Sequence, residues 1–192
     1  MRRLRTFIAI ELSGSVLAKA GQAVKLLQTS GAEVNWVDTR NMHLTLKFLG
    51  DVPETETPEI CRVVADAASK VEPFEIICRG LGAFPKVDAP RAIWIGIEQG
   101  KEELIELHAA LEKGLHEELG FSKENRRFQP HLTLGRLRHE SDPCRQSLSE
   151  LISGGANFDA DLTVVEEVVI FSSFLGRNGP QHEPIGHCSL AE

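Results

Sequence analysis

The chain has 192 residues, 42% hydrophobic and 26% charged, proportions that suit one folded unit with a sizeable core and exclude disordered, collagen-like and disulfide-rich classes. Lys and Arg number 21 against 28 Asp and Glu, a formal net charge of −7. Gripping a long nucleic-acid backbone requires many basic side chains to neutralise phosphates, so the charge balance leaves a short end or a single nucleotide as the nucleic-acid ligands to consider.

The N-terminus imitates a signal peptide, with Arg2, Arg3 and Arg5 ahead of Phe7-Ile8-Ala9-Ile10. Glu11 and Ser13-Gly14 interrupt that run far short of a secretory core or of the roughly 20 residues that span a bilayer. A soluble, cytoplasmic protein without a membrane partner is expected. Arg5 to Leu12 alternates as a first strand, Ser13 is placed to cap a helix reaching Gln28, and Gly31 closes it. A short segment around Val34 to Val37 precedes a strand over Met42 to Leu49, and Pro58 stands near the start of a helix that reaches Lys70. Phe74 to Cys78 and Ala92 to Ile97 read as strands separated by a loop, Gly80 to Pro90. Leu104, Leu107, Leu111, Leu115 and Leu119 recur at helical spacing, and Gly120 ends that helix. A strand follows at His131 to Leu137, then a helix from Pro143 to Ile152, a Gly154-Gly155 turn, strands over Phe158 to Val164 and Glu167 to Phe174, and a last segment at Ile185 to Leu190.

Strands and helices are interspersed without regular alternation, and neither GxGxxG nor GxxxxGK[ST] is present. An α+β fold is therefore expected, as one domain over residues 1–192. Cys61, Cys78, Cys144 and Cys188 are widely separated with no CxxC pair, so reduced structural thiols are expected and neither a zinc site nor a redox dithiol is signalled.

One feature rises above this background. His43-Leu44-Thr45-Leu46 and His131-Leu132-Thr133-Leu134 are the same tetrapeptide. With 7 His, 8 Thr and 22 Leu, a shuffled chain would carry about 0.004 copies. The strand period of two puts His and Thr on one face and both Leu on the other, so each strand buries leucine and offers an imidazole with a hydroxyl. If the two strands face each other across a cleft, two imidazoles flank one small group. That equipment suits phosphodiester cleavage: a neutral His takes a proton from water, a protonated one donates to the departing oxygen, and the hydroxyls hydrogen-bond the phosphate. A single His on a half-buried strand is more often a hydrogen-bonded structural residue, and it is duplication of the whole tetrapeptide that reverses this weighting. Neither copy has HxH or HExxH spacing or an acidic ligand, so no metal and no cofactor are expected. His108 and His116 fall among charged residues and read as solvated; His139, His182 and His187 receive no role.

The chain resembles the 2H phosphoesterases, named for paired HxTx motifs, and within them the RNA 2′,3′-cyclic phosphodiesterase branch, also called 2′-5′ RNA ligase-like proteins. The similarity rests on HLTLKFLG at 43–50 and FQPHLTLGR at 128–136, with RTFIAIEL near the start, GLGAFP at 80–85, PRAIWIGI at 90–97 and FSSFLGRNGP at 171–180 in the family's order. It implies two pseudo-symmetric lobes, each an antiparallel sheet with helices outside and one HxTx strand facing a central cleft. It also implies metal-independent hydrolysis of a terminal 2′,3′-cyclic phosphate to a 2′-phosphomonoester, with reversible 2′-5′ RNA ligation as an accompanying reaction. Carried over by motif, His43 corresponds to the proton donor and His131 to the proton acceptor, with Thr45 and Thr133 on the phosphate. An approximately symmetric site gives no independent reason at sequence level for which His is acid and which is base.

Further contacts are candidates only. Arg127, with Arg126 as the neighbouring alternative, falls where the family tends to carry a basic residue on the phosphate, against the reading of a solvated basic pair. Lys47 shares strand parity with His43 and Thr45 and either lines the cleft or reaches solvent; its counterpart in the second motif is Gly135. Phe84 and Trp94 are candidates to stack a terminal base or else core aromatics. The chain has no Tyr and carries His182 where relatives often have tyrosine, a departure that bears on base recognition. The expected ligand is an RNA 3′ end or a small cyclic-phosphate nucleotide, bound by a monomer. The alternatives are a phosphodiesterase for another cyclic or 2′-5′ linked nucleotide and a non-catalytic nucleotide-binding module.

Overall fold

The structure, a computed structural model, describes residues 2–176 and 179–191. Arg177 and Asn178 of the FSSFLGRNGP segment lie outside the described residues. The chain runs β1 (Arg3–Ile10), α1 (Gly14–Gln28), β2 (Val34–Trp36), β3 (Leu44–Pro53), α2 (Thr57–Ala68), β4 (Phe74–Lys86), β5 (Ala89–Gln99), α3 (Lys101–Leu119), β6 (His131–Leu137), α4 (Arg145–Gly154), β7 (Asp159–Val165), β8 (Glu167–Gly176) and β9 (Gly179–Ser189).

These strands form two antiparallel sheets, one of four strands in the order β3-β1-β8-β9 and one of five in the order β2-β6-β5-β4-β7. The four-stranded sheet thus draws its strands from both ends of the chain, and each sheet carries one HLTL copy, on β3 and on β6. Helices α2 and α3 pack on the four-stranded sheet, while α1 and α4 cover the five-stranded one. No helix among the described residues is long and apolar enough to cross a membrane.

Local chemistry explains these placements. Ser13 caps α1, its Oγ accepting from the Val16 N–H at 3.3 Å. The same residue donates its N–H to Thr163 Oγ1 (3.0 Å) and its Oγ–H to the Leu162 carbonyl (2.7 Å), which ties the end of β1 to β7 in the other sheet. Leu104, Leu107, Leu111 and Leu115 of α3 are fully buried, each contributing about 1.5–3 kcal/mol of apolar burial. Gly100, at φ +80°, turns the chain from β5 into α3 where a Cβ would lie 2.4 Å from the Glu75 carbonyl oxygen, so only glycine fits.

Two stretches depart from the sequence reading. Gly80 to Pro90 is a hairpin, not a loop: β4 continues through register shifts near Cys78 and Phe84 to Lys86 and turns at 87–88 into β5. Gly and Pro here mark bulges within a strand pair, where the missing side chain or N–H is tolerated. The last segment is likewise longer than expected, because β9 pairs with β8 over Gly179–Ser189.

Candidate active site

The two HLTL copies are built alike. Leu44, Leu46, Leu132 and Leu134 are buried in the core beneath the helices, while His43, Thr45, His131 and Thr133 are half-buried. Strands β3 and β6 touch although they belong to different sheets. The link is short: Trp36 of β2 pairs with Gly135 of β6, Val37 N–H donates to the Leu134 carbonyl at 2.8 Å, and a single helical turn (Thr39–Asn41) then delivers His43.

His131 Nδ1 lies 2.6 Å from the carbonyl oxygen of Gln129, two residues earlier. A carbonyl can only accept, so Nδ1 carries the proton and Nε2 of the neutral ring is left as an acceptor. Burial lowers His43 to about 4, with His182 adding to the effect and the nearby Asn41 backbone opposing it. Burial also lowers His131 from its ordinary 6.5, opposed by the Gln129 bond and assisted by Arg136. Both rings are therefore neutral at pH 7 before a ligand arrives.

Aromatic rings flank each histidine. Phe7 of β1 stacks on His43 (centroids 4.7 Å apart, planes 26°), with Phe171 of β8 stacked in turn on Phe7 at 5.3 Å. Phe7, Ala9, Val169 and Phe171 form a small apolar cluster on the sheet face turned away from the helices. On the other sheet, Phe84 meets His131 edge-on at 5.0 Å and Trp94 lies 6.4 Å from it. Trp94 pairs with Thr133 and Gly82, and its indole covers Gly82, whose Cβ would fall 2.2 Å from the ring.

A family model described as the 2′-5′ RNA ligase superfamily matches residues 21–172. The chain belongs to that superfamily. A Methanothermobacter thermautotrophicus protein named RNA 2′,3′-cyclic phosphodiesterase is 35% identical over 93% of this chain and 94% of its own. A Thermotoga maritima protein of the same name is 31% identical over 97% and 96%. Among solved structures, a Thermus thermophilus protein superposes with a TM-score of 0.79 at 27% identity, covering 96% of this chain and 97% of its own. Escherichia coli LigT complexed with 3′-AMP superposes at 0.76 with 22% identity over the full length of both, a likeness of fold.

Lys47 neither lines the cleft nor reaches solvent, the two places expected of it. A bulge in β3 pairs Ala9 with Thr45 but Ile8 with Lys47, skipping Leu46. Strand parity inverts there, and Lys47 turns to the core side, 3% exposed, where its ammonium pairs with Glu112 of α3 and donates to the Ser122 carbonyl at 3.1 Å. The residue the bulge delivers to the Phe7 face is Phe48, which pairs with Phe7 and has its ring centroid 6.0 Å from it. Period-two reading missed Phe48 because a bulge leaves no mark in HLTLKFLG. Arg126 and Arg127 are exposed in the connection between α3 and β6.

His182 is the other omission. It stands on β9 opposite Ser173, 5.3 Å from the His43 ring at 82° and 5.0 Å from Phe7. Nothing in the spacing of a lone His near the C-terminus announces that contact, which the β8–β9 pairing creates. His108 is not solvated as expected: it stacks face to face on Phe128 at 4.2 Å, and its buried Nε2 has no partner among the described residues. His108, Glu112 and Glu124 place ligand atoms within 4.8 Å of one another, but the Lys47 ammonium already supplies the positive charge there.

Proposed function

We propose that this chain is an RNA 2′,3′-cyclic phosphodiesterase that opens a terminal 2′,3′-cyclic phosphate to a 2′-phosphomonoester. The observation that carries the reading is the paired HLTL geometry: two strands from two touching sheets, each presenting a half-buried imidazole beside a threonine hydroxyl. The names of its relatives support the substrate assignment.

In this reading the cyclic phosphate lies between His43 and His131. Nε2 of neutral His131 removes a proton from a water molecule as its oxygen bonds to phosphorus. The bond from phosphorus to the 3′ oxygen breaks, and protonated His43 donates to that oxygen, so the proton taken by one ring is balanced by the proton given by the other. Thr45, Thr133 and the guanidinium of Arg127 hydrogen-bond the non-bridging oxygens as charge develops. The anionic substrate favours the protonated ring that burial disfavours, so binding loads the acid. With a 5′-hydroxyl in place of water, the same ring opening joins a 2′,3′-cyclic end through a 2′-5′ bond, His131 taking the hydroxyl proton and His43 protonating the departing 3′ oxygen. We read the chain as one two-lobed unit that acts in the cytoplasm as a monomer and needs no metal, because two histidines supply both proton transfers.

The test is incubation of the protein, with EDTA present, on a short RNA ending in a 2′,3′-cyclic phosphate, with His43→Ala and His131→Ala as controls. A 2′-phosphate product that both substitutions abolish supports the reading. A 3′-phosphate product, or turnover that requires a divalent ion, defeats it.

A further inference from the structure

Strand β1 meets β8 in an unbroken ladder, with Arg5 opposite Ser173, Phe7 opposite Phe171 and Ala9 opposite Val169. Alternate residues of a strand share a face. Phe7, Ala9, Val169 and Phe171 form the apolar cluster on the helix-free side, so Arg5 and Ser173 stand on that side as well. The pairing continues onto β9, where His182 lies opposite Ser173. Beside the row that holds Phe7 and Phe171 there is thus a polar row of Arg5, Ser173 and His182. The His43 ring touches both rows, its centre 4.7 Å from that of Phe7 and 5.3 Å from that of His182.

An exposed arginine is ordinarily a solvated charge and no more. The two arginines before Arg5 are engaged: Arg2 pairs with Glu54 at 3.5 Å, and Arg3 donates to the Asp51 carbonyl. Arg5 is exposed and makes no ion pair or side-chain hydrogen bond among the described residues, although Asp51 stands opposite it on β3, where an ion pair would be the expected cross-strand contact. In a chain of net charge −7, an uncommitted guanidinium on the face of the site is a place for an anion. Two residues of strand carry Arg5 about 6.8 Å beyond Phe7. A side chain as long as arginine, starting there, serves an anion one step removed from the phosphate at His43, and that step suits the next phosphate of a nucleic-acid backbone. Ser173 adds a half-buried hydroxyl to the same row.

We propose that Arg5 is a subsite for the internal phosphodiester that joins the terminal nucleotide to the one before it, so that the site takes the end of an RNA chain in preference to a free cyclic nucleotide. The proposal rests on the cyclic phosphodiesterase reading and adds to it a residue that selects the substrate by chain length. A contact of this kind positions a strand without reading its bases. Asp51 across the strand pair and the acidic balance of the chain confine the attraction to this one position, which fits a protein that holds an RNA end and not one that coats RNA.

The experiment compares kcat/KM for two dinucleotides that end in a 2′,3′-cyclic phosphate and differ only in the internal linkage, an anionic phosphodiester in one and a neutral methylphosphonate in the other. It is run on the unsubstituted protein, Arg5→Gln and Arg5→Lys. The unsubstituted protein favours the anionic linkage. That ratio falls about 5- to 30-fold in Arg5→Gln, the loss of one charge-assisted contact to a phosphate, and is partly regained in Arg5→Lys. Raising the salt concentration erodes the ratio in the unsubstituted protein, with a logarithmic slope of about 0.7 for one phosphate, and leaves it nearly flat in Arg5→Gln. An unchanged ratio overturns the proposal. So does an equal loss on both substrates, which would place Arg5 on the cyclic phosphate itself or in the support of the fold. Calorimetric affinities for the corresponding two dinucleotides ending in a 2′-monophosphate read the same contact without turnover. If the protein hydrolyses neither substrate, the phosphodiesterase reading fails while the ratio of these affinities still decides the subsite.

Discussion

The imidazoles of His43 and His182 meet edge to face, 5.3 Å between ring centres, with Phe7 closing a third side. Protonating His43 places a charge in a half-buried, largely aromatic setting beside a second ring that can itself be charged. That is why its value falls to about 4. A phosphate anion reverses the preference. Binding of a nucleoside 2′-monophosphate at pH 7 is therefore expected to take up a proton, seen as a binding enthalpy that changes with the ionisation enthalpy of the buffer. A buffer-independent enthalpy would show that neither imidazole gains a proton.

The same shifts set the pH dependence of turnover. The free protein holds one proton on the pair between the His43 value of about 4 and the lowered value of His131, below its ordinary 6.5, and the productive arrangement, with that proton on His43 and His131 neutral, is a minor form confined to the same window. The profile of kcat/KM, which reports the free protein, is expected to be bell-shaped with its maximum on the acid side of 6.5. The profile of kcat, which reports the complex, lies at higher pH. Replacing His182 by Gln removes a neighbour that lowers His43 and moves the acid limb up. A maximum above pH 7.5 for kcat/KM would contradict this ordering.

His43→Ala and His131→Ala each remove a general catalyst, and each is expected to lower kcat by about 10²- to 10⁴-fold. The two rings act on one proton inventory, so the double substitution is expected to cost far less than the product of the single losses. Thermal melts of the same proteins check that the losses are catalytic, since both side chains are only half-buried. Full activity in either single variant would move the chemistry elsewhere.

How much of this was legible from residues depends on which interactions are local. The HLTL repeat, the Ser13 cap, the leucine spacing of α3 and the Gly120 stop all act within a few residues, and each appears in the structure where the sequence places it. Lys47 was misread and Phe48 missed because a bulge is set by how β3 registers against β1, which period-two reading of one strand cannot contain. His182 reaches His43 only through the β8–β9 pairing, and His108 is covered by Phe128, which comes later in the chain. The swap of helices, by which α1 follows a strand of one sheet and packs on the other, is equally non-local.

Lys47 and Glu112 make a further prediction, about stability. The carboxylate is 12% exposed and accepts from the Lys47 ammonium and from the Glu124 N–H at 3.0 Å, which joins β3 to the segment that leads into β6. Burial would raise Glu112, but these bonds outweigh it and hold the group below its ordinary 4.5. Lys47→Met leaves a buried charge without its partner and is expected to cost about 3–5 kcal/mol at pH 7 by urea unfolding. Adding Glu112→Leu should recover most of that loss. A folded value below the unfolded one gives stability that is complete above 4.5 and lost as pH falls through the folded value. The gap between the unsubstituted protein and Lys47→Met should therefore narrow in acid. A gap that widens would reverse the assigned sign.

Gly82 tests whether the aromatic rings beside His131 matter to its chemistry. A Cβ at this position would lie 2.2–2.5 Å from three atoms of the Trp94 indole, so Gly82→Ala must displace the ring. Trp94 in turn lies 5.2 Å from Phe84, which meets His131 edge-on at 5.0 Å. Overpacking alone costs about 1–3 kcal/mol. Displacing the rings that flank His131 is expected to lower kcat on the order of ten-fold in addition, since small misplacements of a catalytic group are costly. Gly14→Ala, where nothing lies within 4 Å of the added carbon, serves as the matched control and should leave both quantities near their starting values. A change in Trp fluorescence together with the loss of turnover would connect the two. Displaced fluorescence with undiminished kcat would mean that His131 is held by its Gln129 bond alone, and that Phe84 and Trp94 serve the fold and not the reaction.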